Sequence, residues 1–161
     1  MFEIGAAFPE MAANYGVLSG PAFSISYAIA GIFMGLLVGK TNRKNLLAGA
    51  CILFSLTQII SGTTSSFAVM VGMRFILGLF VSVVEPVAFS LMGDYFPPQV
   101  RTFANSIIGT GAYVGNAAGA QLVNVVNSFG WRAAYYVKGG LGVFIGLLAF
   151  FLIKEPRRGL M

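Results

Sequence analysis

Two ionisable residues lie deep inside apolar sequence, and they are where this chain could do chemistry. Arg74 follows Phe67 by seven positions, so it lies roughly 10 Å into a helical span. Glu85 comes eleven residues later. Eleven residues approximate three turns, so both side chains project from about the same face, ~16 Å apart along the axis. A cation at bilayer depth costs at least ~2.5 kcal/mol unless it is paired or wetted. Such a stripe either borders a solute path or is tied to neighbouring amides for structure. A protonatable carboxylate at depth can couple to a proton, which favours a functional role for Glu85. Pro86 follows it directly, removing a helical hydrogen bond and predicting a kink beside the carboxylate. Asn116 and Gln121 supply neutral amides and complete the candidates for a transport path. Lys138 lies about one and a half turns into its own span and is read as snorkelling to the interface.

Five apolar stretches must position these residues: 19–38, 46–62, 67–92, 102–126 and 133–153. Each is at or near the ~20 residues that cross ~30 Å of hydrocarbon. Hydrophobic residues make up 57% of the chain and charged residues 9%, against ~25% charged in soluble domains. The spans are expected to be helices, because a lipid-facing backbone must satisfy its own hydrogen bonds. The fold class is therefore all-α integral membrane, with one helical domain over 19–153. Residues 1–18 form a lead-in and 154–161 a basic tail. Gly31 and Gly35, and Gly111, Gly115 and Gly119, recur at a spacing of four and predict close helix packing. Gly139, Gly142 and Gly146 form a more loosely spaced set.

The basic residues predict an orientation. The first connection, the third and the tail share one side and carry seven Lys and Arg residues, against one on the other. Basic loops stay on the cytoplasmic or matrix-like side, so the N-terminus is expected outside and the C-terminus inside. The net charge of +5 is then topological, and the partner it implies is the lipid bilayer, not nucleic acid. Cys51 is the one cysteine and there is no histidine. No metal site, cofactor or enzymatic nucleophile–base pair is expected.

Four stretches make the chain resemble the major facilitator superfamily of secondary transporters, most closely its Spinster-like and related organic-solute branches. GLLVGKTNRK at 35–44 is similar to the family's loop pattern G-x-x-x-D-R-x-G-R-[RK]. RFILGLFVSVVEPVAFSLMGD at 74–94 resembles its fourth span, with arginine, a glycine four later, proline and a terminal Asp. DYFPPQVRTFANS at 94–106 resembles D-x-F-P-x-x-x-R-x-x-A. GWR at 130–132 and EPRRG at 155–159 resemble the start and exit of the sixth span. The resemblance implies a five-helix partial bundle like the N-terminal half of that fold, comprising its second to sixth spans. It implies transport of a small organic solute, completed by the missing second bundle. The alternative is a transporter-derived structural subunit packed among other membrane subunits. The family's loop aspartate is Gly39 here, its arginine Lys40 and its loop glycine Asn42. The family's loop charges imply a cytoplasmic cluster of Lys40, Arg43, Lys44, Asp94 and Arg101, with Asp94 expected to pair with at least one of the cations. Spinster-like members carry a Glu seven residues after the arginine; Val81 stands there, so Glu85 does not inherit that role.

Overall fold

The computed structural model describes residues 20–156, so the 1–18 lead-in and most of the basic tail lie outside the described residues. Six helices follow in order: α1 (Pro21–Val38), α2 (Arg43–Thr63), α3 (Phe67–Val81), α4 (Val84–Tyr95), α5 (Pro98–Phe129) and α6 (Trp131–Leu152). Their boundaries follow from local chemistry. Pro21 and Pro98 open α1 and α5 at the first turn, where a missing N–H is harmless. Asn42 caps α2 by accepting the Asn45 backbone N–H at 3.0 Å. The residue that replaces the loop glycine of the resembled pattern is thus a helix cap. Gly130, at φ +81°, both ends α5 and starts α6, a conformation that glycine adopts without steric cost.

Pro86 acts as expected, and its effect is sharper than a bend. Its ring excludes a bond to the carbonyl of Ser82. There the helix parts into α3 and α4, with a turn at Ser82–Val83. Val83 N–H falls back on Phe80 O at 3.3 Å, and the regular ladder resumes with Val87 N–H to Val83 O at 3.2 Å. The two pieces still form one apolar stretch of 29 residues, Phe67–Tyr95. Among the described residues, that stretch, α1, α2 and α6 are the four long and apolar enough to cross a membrane. The fifth expected span belongs to the longest helix. α5 has 32 residues, or ~48 Å, and with its amides and glycines it holds no stretch as apolar as those four.

α2 is the central helix. Its broadest contact is with α6, and it also packs on α3 and α4; α1 packs on α3, and α5 sits at the edge against α6 and α4. Two apolar clusters lie at opposite ends. One joins Val38, Ala50, Val83, Val87 and Leu91; the other joins Met70 and Trp131 with Phe67, Val71, Val126 and Tyr135 around them. The glycines that carry close contact are not the strictly four-spaced ones. A Cβ built at Gly31, Gly35, Gly111, Gly115 or Gly119 meets open space among the described residues. Gly139 and Gly146 instead press on Ser55, Ile59, Cys51 and Ile52 of α2, and Gly142 on Ser55. Steps of three and four return to one face within about 20° per seven residues, whereas each step of four overshoots a turn by about 40°.

The charged and polar contacts between helix ends fall into two groups. Arg43, Asp94 and Glu155 meet at one end. At the other, Arg132 donates to Thr63 O at 3.3 Å and to Ser65 Oγ at 3.1 Å. In a Cys51→Ser background, cysteines placed at Thr41 and Ser65 are therefore expected to react with an impermeant thiol reagent from opposite faces of the membrane. Labelling of both from one face would refute the arrangement.

Candidate functional site

Apart from Arg132, the charged groups with partners fall into three separate places. The first is the end where α2 begins and α4 and α6 finish. Arg43 is only 3% exposed. Its Nη1 donates to Asp94 Oδ2 at 2.5 Å, to Ser90 Oγ at 3.0 Å and to Ser90 O at 3.1 Å, and its Nε donates to Glu155 Oε1 at 3.0 Å. The expected Asp94 pair forms, with Arg43 as partner. Asp94 is not the sole acid of the cluster, however, because Glu155 completes it. Glu155 Oε2 also accepts the Lys44 backbone N–H at 2.7 Å. It therefore caps an orphan donor of α2 and places an anion at the positive end of that helix. That offsets two cations in a first turn where cations are unfavourable. Burial pushes the Glu155 carboxyl up, but the bonds from Lys44 and Arg43 outweigh it and hold the group below its ordinary value.

The other expected members serve different purposes. Arg101 donates to Gly93 O at 2.6 Å and Phe96 O at 3.0 Å, tying α5 to the end of α4. Lys44 Nζ lies 4.9 Å from the Phe150 ring centre, and Lys40 is exposed. Arg43 and Lys44 belong to the first turn of α2, not to a loop.

The second place surrounds Arg74. Its Nη2 donates to the Tyr135 hydroxyl at 2.8 Å, and its guanidinium lies 5.9 Å from that ring's centre. Arg74, Gln58, Leu122, Ala134, Tyr135 and Lys138 line a cavity of about 170 Å³ between α2, α3, α5 and α6. Lys138 is accessible from outside the bundle and also lines this cavity, so it does more than snorkel to the interface.

The third place is Glu85, which is exposed and accepts the Tyr27 hydroxyl of α1 at 3.0 Å. Arg74 and Glu85 thus have different neighbours, α6 for one and α1 for the other. The turn at Ser82–Val83 lies between them, with both its residues at helical backbone angles. Asn116 and Gln121 are exposed on α5, and Gln121 Oε1 accepts from Asn124 Nδ2 at 3.1 Å. Neither meets the Arg74 cavity. Tyr27, Tyr135 and Glu155 were not legible as site residues. Only Glu155 left a signal, its place in EPRRG.

These helices, long and apolar with charged groups few and mostly at their ends, define an integral multi-pass membrane protein. Residues 2–160 match the family described as Major Facilitator Superfamily, and the chain belongs to it. It is 26% identical to the quinolone resistance protein NorA of Staphylococcus aureus, across 85% of this chain and 35% of that one. It is 29% identical to the probable sulfoacetate transporter SauU of Cupriavidus necator, across 83% of this chain and 31% of that one. The fold matches crystal structures of a bacterial homologue of the human lysosomal transporter Spinster, inward-facing, at TM-score 0.80. The unoccupied form is 24% identical and the occupied form 25%, over 98% of this chain and 40% and 41% of theirs. The chain spans about a third of the length of the curated relatives it matches.

Proposed function

We propose that this chain forms the N-terminal bundle of a secondary transporter that moves a small organic solute, with Glu85 as a protonatable group on the path. The observation that carries the reading is Glu85 itself. It is a carboxylate left exposed on an apolar span, beside the break in that span, and held by one tyrosine hydroxyl. A carboxylate kept at such depth costs free energy that a purely structural role offsets with fuller pairing. Here one hydrogen bond from Tyr27 leaves it room to take up a proton. Family membership and the two named relatives support transport as the activity. A second bundle opposite supplies what this one rocks against, as such folds require. The basic end bearing Arg43 is assigned to the cytoplasmic or matrix-like side by its charge.

Glu85→Gln is the test. The amide keeps an acceptor for Tyr27 and cannot ionise, so the fold should hold. Solute uptake driven by a proton gradient into vesicles from expressing cells is expected to fall at least tenfold, on the order of 1.4 kcal/mol. Uptake with unchanged rate and pH dependence would remove Glu85 from the mechanism.

A further inference from the structure

The Arg74 cavity has a composition that the transport reading leaves unexplained. Two of its six lining residues, Arg74 and Lys138, are cations, and none is an acid. Three acids stand among the described residues, and each is engaged elsewhere. Asp94 and Glu155 pair with Arg43 at the far end of the bundle, and Glu85 bonds Tyr27. Arg74 makes one hydrogen bond, to the neutral Tyr135 hydroxyl. Two like charges beside one cavity in a medium of low dielectric repel strongly. An unpaired cation at membrane depth is costly by itself. Arg74 offers a planar fork of donors and Lys138 a compact ammonium. The Gln58 amide adds a donor and an acceptor to a lining that is otherwise mostly apolar, Leu122 and Ala134 among it.

We infer that this cavity is a binding site for a small organic anion, a carboxylate or sulfonate of a few carbon atoms, gripped between Arg74 and Lys138. The acidic head would lie between the two cations and the short apolar part against Leu122 and Ala134. A cavity of about 170 Å³ suits a solute of a few heavy atoms. As a statement of solute class this rests on the transport reading, but the binding can be measured without transport.

Trp131 is the one tryptophan of the chain and stands edge-on to Tyr135, with ring centres 5.9 Å apart. Its fluorescence in the purified full chain, held in nanodiscs at constant ionic strength, is the readout. Acetate is expected to change it saturably, while acetamide, of the same shape and uncharged, should leave it unchanged. Arg74→Gln and Lys138→Gln should each weaken acetate by about tenfold or more. Lys138→Arg should retain it. Arg132→Gln should also retain it, because that guanidinium lies over Trp131 outside the cavity. A second measurement needs no variant: acetate, and not acetamide, should slow acylation of the accessible Lys138 amine, followed by mass spectrometry. An equal response to acetamide, no saturable response to acetate, or unhindered acylation would overturn the inference. Acetate binding without any solute uptake would overturn the transport reading instead. Uptake confined to cations or neutral solutes, with no acetate binding, would overturn only the anion site.

Discussion

Arg43→Ala is expected to loosen the end where α2, α4 and α6 meet and to be the most damaging single charge removal in the chain. Arg43 is almost fully buried and bonds Asp94, Glu155 and Ser90 at once. Its loss strands two carboxylates that share it. Breaking a buried pair from one side costs several kcal/mol, and the partly solvated acids place this case near the lower end, about 3 kcal/mol. At soluble-domain scaling that lowers the midpoint of thermal unfolding by about 6–12 °C. Retention of the monodisperse species after heating in detergent would measure it. Arg43→Lys should recover only part, because an ammonium cannot fork between Asp94 and Glu155.

The same cluster predicts a pH dependence. The folded state holds the Glu155 carboxyl below its ordinary value. The stabilisation is therefore complete above the ordinary carboxylate range and is lost as pH falls through the depressed value. Wild-type stability should drop on acidification below about pH 4. In Arg43→Ala that drop should be smaller, because part of what lowers the carboxyl has gone. A variant with the wild-type midpoint at neutral pH and the wild-type acid limb would show that the cluster contributes nothing.

How far the sequence reveals this arrangement depends on which interactions are local. Spans and their shared ends are legible because apolar length and basic loops are properties of contiguous residues. The Asp94 pair is legible because the charges sit at ends that five crossings must bring together. Glu155 is harder to read: its bond to Lys44 joins residues 111 positions apart, and a lone acid beside a run of basic residues looks like tail. Tyr27 and Tyr135 present the same difficulty, as hydroxyls whose partners lie on other helices. The stripe of Arg74 and Glu85 is a local inference from spacing, and spacing alone does not reveal that the two take partners on different helices, Tyr135 and Tyr27. The glycine pattern is regular where it makes no contact among the described residues and irregular where helices touch.

Gly78 brings those threads together and carries the second large prediction. It lies one turn after Arg74, on the face of α3 that meets α1. A Cβ there would stand 2.6 Å from the backbone oxygen of Phe23, 3.1 Å from the Tyr27 nitrogen, and in collision with Ser26 Oγ. Ser26 is fully buried and its hydroxyl already serves the carbonyls of Ala22 and Phe23. Nothing on α1 can swing aside, since the nearest obstacles include its own backbone. Gly78→Ala should therefore push α1 off α3 at a cost of about 2–3 kcal/mol. The gain of up to ~1 kcal/mol in helix propensity does not offset this. Gly115→Ala is the matched control: its Cβ meets open space among the described residues, so propensity alone should act and stability should hold or rise. Ser26→Ala in the Gly78→Ala background should recover only part of the loss, because the clash with Phe23 O remains. The displacement also reaches function, since Tyr27 rides on α1 and bonds Glu85 just past the break. Thermal midpoint and proton-driven uptake should thus fall together in Gly78→Ala, and full rescue by Ser26→Ala would place the obstruction in the hydroxyl and not in the backbone of α1.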